Sequence, residues 1–291
     1  MRNVKSLRFL SLLVLFGAGQ TSAMYCVPSP FSDTFHLDKI ASITLTDARS
    51  SVASMKVSST YTAGLLRREV SDMTLTVAGR STGSRFSSTY SYSADGRLGA
   101  VDQTWDSTRS GVTTSQQVYE YDQHGRLTRV GGNEGAGTPF VTLATCAYGA
   151  STIVEEVAAS GGLRAKSFEY TLDTEGRVTR YSLTLEGRED ETDVTTITYR
   201  DGKIVREENR IEDTIYPIKV TVTDYNDAGL PVKEVETTYD KHMKLNYQST
   251  RTFEYVMDAS DNWVQRREYE ERGDTKELAA TAARVIVYVN K

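Results

Sequence analysis

The chain has 291 residues, a formal net charge of −5, 17 tyrosines, three histidines and two cysteines. This acidic balance makes nucleic acid and anionic membrane surfaces poor partners. The length suffices for one large all-β domain or two small ones with a sizeable core.

Met1 to Arg8 carries Arg2, Lys5 and Arg8 and no acid; Phe9 to Phe16 is a continuous apolar run, and Thr21-Ser22-Ala23 supplies small residues. Charge block, apolar block and small-residue site, in that order, read as a secretory signal peptide over residues 1–23. The apolar run is too short for a transmembrane helix, which needs about 20 residues. A lipobox would place a small residue before Cys26, and Tyr25 stands there. The expected product is therefore a soluble periplasmic or secreted protein. Losing Arg2, Lys5 and Arg8 moves its formal charge from −5 to −8. Residues 24–291 read as a single β-sheet domain, with 24–56 as an extension whose structure the pattern leaves open. Cys26 and Cys146 fit a disulfide or two buried thiols equally well, because geometry decides pairing.

Val27-Pro28-Ser29-Pro30 excludes helix. Ile43 and Leu45 alternate as a first strand does, and Val52 to Val57 is ambiguous. Then turn-centred units succeed one another. Tyr119-Glu120-Tyr121-Asp122-Gln123-His124-Gly125-Arg126-Leu127 is the clearest. Tyr119 and Tyr121 share one face of a strand. Asp122 suits the first position of a type I turn and Gly125 the left-handed position that closes a hairpin. Related units lie at Tyr61–Gly64, Tyr92–Leu98, Cys146–Gly149, Tyr170–Val178, Tyr199–Ile204, Tyr225–Gly229 and Tyr255–Trp263. In the last, Asp261 or Asn262 replaces glycine, and both tolerate the left-handed region.

The turns recur about every 28 residues, which signals a repeat architecture. Gly131 to Gly137, Gly187 to Asp193 and Arg272 to Asp274 read as the return loops. Thr196-Ile197-Thr198-Tyr199 and Lys219-Val220-Thr221-Val222 each show one apolar and one polar face, the mark of an antiparallel sheet with one wet side. Glu277 to Arg284 is alanine-rich, but Val285 to Val289 is strand-like, so the tail reads as the closing strand. The expected fold is all-β: an antiparallel meander of about eight hairpins in one long twisted sheet, with strand twist able to curl it into a half-barrel.

The Y-D-x-x-G-R-L string at Tyr121 to Leu127, with the looser units at Tyr92, Tyr170, Tyr225 and Tyr255, resembles the bacterial YD-repeat (RHS-type) family. The resemblance spans roughly Tyr90 to Tyr269. It implies a β-hairpin array and cell-surface or carbohydrate-related roles, and it transfers no functional residue. Large members wind many hairpins into a shell around a toxin. This chain has few repeats, no aspartyl-protease-like core motif and no separate C-terminal effector domain.

Motifs for chemistry are absent. His36, His124 and His242 have no metal-ligand partner at helical or strand spacing, and H-E-x-x-H, C-x-x-C, Walker, G-x-G-x-x-G and G-x-S-x-G patterns are missing. Glu189, Asp190, Glu191 and Asp193 form an acidic run without the glycine and spacing of a calcium loop. The turn aspartates read as backbone caps. No catalytic residue, cofactor or metal is expected. The tyrosines read as packing residues of the repeat, or as an aromatic face that stacks a sugar or docks a protein. The resulting expectation is an exported, non-enzymatic binding or structural protein of the envelope, not integral to the membrane, whose partner is a carbohydrate or another envelope protein. Two alternatives stand beside it: an outer-membrane β-barrel, and a periplasmic carrier of an apolar ligand. Charges on both faces of Lys233-Glu234-Val235-Glu236 weigh against the barrel, since a lipid-facing charge costs about 2–4 kcal/mol at the bilayer midplane.

Overall fold

The computed structural model describes residues 25–27, 39–50, 53–77, 80–108, 111–133, 135, 137–159, 164–212, 218–240, 242–272 and 275–289. The signal segment 1–23, Pro28, Pro30, His36 and the tail Asn290-Lys291 lie outside that set.

Eighteen antiparallel strands follow in order, and among the described residues there is no α-helix. They are β1 (Ile40–Ser50), β2 (Ala53–Thr62), β3 (Leu65–Val77), β4 (Arg80–Tyr92), β5 (Leu98–Ser107) and β6 (Gly111–Tyr121). Next come β7 (Leu127–Asn133), β8 (Val141–Tyr148), β9 (Thr152–Val157), β10 (Lys166–Leu172), β11 (Val178–Leu185) and β12 (Arg188–Arg200). The chain finishes with β13 (Lys203–Glu212), β14 (Ile218–Tyr225), β15 (Pro231–Tyr239), β16 (Leu245–Met257), β17 (Trp263–Arg272) and β18 (Thr275–Tyr288). Each strand pairs with its sequence neighbours, and β18 pairs back onto β1, with Ile43 opposite Ile286 and Leu45 opposite Arg284. The meander therefore closes into a barrel. Closure removes both sheet edges, which an open sheet would expose to pairing with other chains.

The closing step rests on the N-terminal region that the sequence pattern left open. Val52 to Val57 belongs largely to β2, and β1 supplies the strand that receives β18. Two return loops are also shorter than their composition suggested. Gly131 and Gly132 sit inside β7, and Arg188 to Asp193 is the start of β12. Gly132 has a packing reason: an added Cβ would lie 2.8 Å from the Gln116 carbonyl oxygen and 2.5 Å from Leu143 Cδ1. Charged residues join a strand readily when alternate side chains face water.

All the Y-D-type turns gather at one end of the barrel, and the looser connections at the other. In the turns at Asp122 and Asp173, the carboxylate accepts two backbone N–H groups, from His124 and Arg126 (2.8 and 2.9 Å) and from Glu175 and Arg177 (both 2.9 Å). Asn226 does the same for Ala228 and Leu230, and Asp258 for Ser260 and Asn262. The glycine at the fourth position has φ of +79° at Gly125, and Asp261 takes that role in the last turn with φ of +57°. The shortened turns at Ala63-Gly64 and Asp201-Gly202 place both central residues at positive φ, as two-residue hairpins require.

The remaining residues of the motif clasp one hairpin to the next. The Tyr121 hydroxyl donates to the Leu98 carbonyl (2.9 Å), Tyr148 to Leu127 (2.8 Å), Tyr199 to Val178 (2.9 Å) and Tyr255 to Pro231 (2.9 Å). The arginine of the preceding turn covers the same ring: Arg97 over Tyr121, Arg126 over Tyr148 and Arg177 over Tyr199, at 5.8, 4.7 and 4.7 Å from the centroids. Each exposed cation–π contact is worth about 0.5–1 kcal/mol, and each net hydrogen bond about 1 kcal/mol. At the seam, Tyr288 of β18 hydrogen-bonds Asp258 and takes the Asn262 amide (2.9 Å).

Candidate functional site: the barrel lumen

Cross-strand partners share a face, so the buried residues identify the inside. Val101, Tyr90 and Tyr119 on one side of the barrel, and Tyr170, Ile197 and Phe253 on the other, all point inward and are buried. These side chains line the lumen at the turn end. Tyr170 has no exposed surface; its ring stacks near Phe168 and tilts against Tyr181.

The N-terminal segment enters this layer. Cys26 and Cys146 form a disulfide (S–S 2.00 Å), and Cys146 faces inward opposite Glu155 of β9. Glu155 is fully buried and accepts three hydrogen bonds: the backbone N–H groups of Tyr25 (3.0 Å) and Cys26 (3.1 Å) and the hydroxyl of Tyr170 (3.0 Å). Val27 packs with Ile153, Phe168 and Val178. A buried carboxylate is tolerated when donors surround it, and here the strap supplies two of the three. No spacing in the sequence connects Glu155 to Tyr25, 130 residues away.

Toward the loop end the lumen changes character. Lys219 bridges Glu236 (2.9 Å) and Arg251 bridges Glu234 (3.0 Å) on the wall formed by β14 to β16. Asn209 donates to Asp193 (2.6 Å) and Thr195 (2.9 Å). Large apolar side chains on this half are exposed although they face inward: Met73 (42%), Trp105 (53%) and Tyr247 (42%). Register fixes their direction. Trp105 shares a face with Val101 and Tyr247 with Phe253, with no bulge between.

The other residues singled out in the sequence are scattered. The side chains of Glu189, Asp190 and Glu191 lie outside the described residues, and Asp193 is engaged by Asn209. His124 and His242 are exposed at opposite ends of the barrel. His242 belongs to a turn that sequence reading missed: Asp240 caps His242 and Lys244 (both 2.9 Å) at the loop end, with Met243 at φ +60° where glycine stands elsewhere. The turn carboxyls of Asp122 and Asp173 are held below the usual aspartate range, chiefly by the backbone N–H groups of Arg126 and Arg177.

The exterior is polar. Arg85 pairs with Asp72 (3.7 Å), Arg129 with Glu120 (3.2 Å), Arg206 with Asp224 (3.3 Å) and Lys276 with Glu254 (3.4 Å). Val256, Val285, Val287 and Val289 form its exposed apolar strip, on β16, on β18 and just beyond β18.

No family model and no curated protein sequence matches this chain. Solved structures do. A porin-like protein from Bacteroides uniformis ATCC 8492 is similar over 85% of this chain and 98% of that one, with 12% identity and a TM-score of 0.47. TcdB2-TccC3 is similar over 80% of this chain and 17% of that one, with 11% identity and a TM-score of 0.25. The TcdB2-TccC3-Cdc42 structure gives 77%, 16%, 12% and 0.21 for the same quantities. One expectation is corrected: that the chain is not integral to the membrane, which rested on charges on both faces of Lys233-Glu234-Val235-Glu236. The sheet is closed, the form a membrane-spanning β-structure takes, and Glu234 and Glu236 of that stretch are paired with Arg251 and Lys219 on the lumen wall. Of the two readings of the tyrosines, packing fits Tyr90, Tyr119 and Tyr170, which are buried inside the barrel.

Proposed function

We propose that this chain is a non-enzymatic β-barrel protein of the bacterial cell envelope that works through its lumen, as a receptacle entered from the loop end. The observation that carries this reading is Trp105. Its indole lies on the inner wall of a closed barrel and is still more than half exposed, whereas Trp263 at the turn end is 4% exposed. These are the two tryptophans of the chain, so acrylamide quenching of intrinsic fluorescence tests the idea directly. The accessible emission is expected to vanish in Trp105→Phe. Quenching that is absent, or that survives this substitution, overturns the receptacle.

Placement in the outer membrane is the second reading. It is favoured by the closed, even-numbered, up-and-down antiparallel topology, the form that transmembrane barrels take, and by the valine strip on the exterior. The exterior ion pairs must then lie outside the hydrocarbon band, because a charge at the midplane costs about 2–4 kcal/mol. Extraction of cell envelopes with alkaline carbonate decides: retention until detergent is added supports the membrane barrel, and release by osmotic shock refutes it.

A further inference from the structure

The inner wall of β3 to β6 differs from the rest of the lumen. Met73, Phe86 and Trp105 lie on three consecutive strands and face inward together; Phe86 and Trp105 are direct cross-strand partners, and Met73 lies opposite Ser84, two residues before Phe86. This apolar strip is bordered by Ser71, Ser84, Gln103, Thr113 and Ser115, with the Ser115 hydroxyl donating to Gln103 (3.2 Å). Among the described residues the border has no ionised side chain. The inward acids around it are buried: Glu69, deeper, takes the Ser59 hydroxyl (3.3 Å), and Asp47, two strands from Met73, faces Arg266 (4.0 Å). On the β14 to β16 wall, by contrast, the ionised groups are already paired.

Chemistry narrows the occupant. A ligand charge placed here would lose water without gaining a counter-ion, and a pure hydrocarbon would strip water from Gln103 and the hydroxyls without replacing it. An apolar tail with an uncharged hydroxyl head satisfies both sides. Building on the receptacle reading, we propose that the loop-end lumen binds one neutral single-chain amphiphile, its tail on Met73, Phe86 and Trp105 and its head toward Gln103 and Ser115.

The test titrates mature protein with dodecanol, dodecanoate and dodecyltrimethylammonium, each below its aggregation concentration, while Trp105 emission is followed. Dodecanol is expected to give a saturable blue shift, and the two ions to bind at least about tenfold more weakly. Phe86→Ser should weaken dodecanol at least about tenfold, and Arg85→Ala, on the exterior, should leave it unchanged; circular dichroism confirms that both variants are folded. The inference is overturned by an absent shift, by equal binding of the ions, or by a shift indifferent to Phe86→Ser. If Trp105 is quenched by acrylamide in the same preparation, only this inference fails; if it is not, the receptacle reading fails with it.

Discussion

The two halves of this barrel are made of the same eighteen strands and solve opposite problems. At the turn end, tyrosines and aliphatic side chains point inward and are buried, and the N-terminal strap is tied to this layer by its disulfide. At the loop end, the inward positions hold paired charges, amides and exposed rings. The difference shows where stability is generated and where it is given up. The repeat motif builds the dry half, because each of its residues either caps a turn or clasps the neighbouring hairpin. The loop-end connections follow no such motif, and inward side chains there, Trp105 among them, stay exposed.

Substitutions that respect or violate this division should separate the halves. Tyr170→Ala removes a fully buried ring and the hydroxyl that supports Glu155; a loss of about 3–5 kcal/mol is expected from urea unfolding. Tyr247→Ala, an inward residue of the open half, should cost no more than about 1 kcal/mol in the same assay. Equal losses would abolish the distinction. Next, opening the disulfide by Cys26→Ser with Cys146→Ser releases a loop spanning 120 residues. About 2–4 kcal/mol should be lost, and hydrogen exchange should speed up at Tyr25 and Cys26 but not on β14 to β16. Smaller still, Gly125→Ala forces a side chain into φ of +79° and against the Arg97 guanidinium. That should destabilise by about 1–2 kcal/mol, measured by thermal unfolding.

The mildest effect is one of pH. Asp122 and Asp173 have carboxyls depressed in the folded state by backbone N–H groups and by Arg126 and Arg177. Their contribution is therefore present above the ordinary aspartate pKa of about 3.9 and lost as pH falls through the lower folded value. Asn226 makes the same two bonds without titrating. Asp122→Asn with Asp173→Asn should accordingly flatten the acid limb of the stability profile; an unchanged limb would show that these caps do not set it.

The turn chemistry, the all-β class and the alternation of tyrosines onto one face were legible in the sequence, because each depends on contacts within about ten residues. Asp122, Gly125 and their counterparts act on their own backbone, and the two-residue period decides which rings share a face. The candidate site was not legible. Phe86 and Trp105 meet only through strand pairing, and neither lies in a motif. Their exposure is set by what packs around them in three dimensions, which no local pattern encodes. Glu155 and Tyr25 meet across 130 residues, and Met243 hides a turn by replacing glycine. Closure itself was decided at the tertiary level. A meander with these strands is compatible with an open sheet or a ring, and the choice falls on the pairing of β1 with β18, contacts that join the two ends of the chain and leave no periodic trace in either.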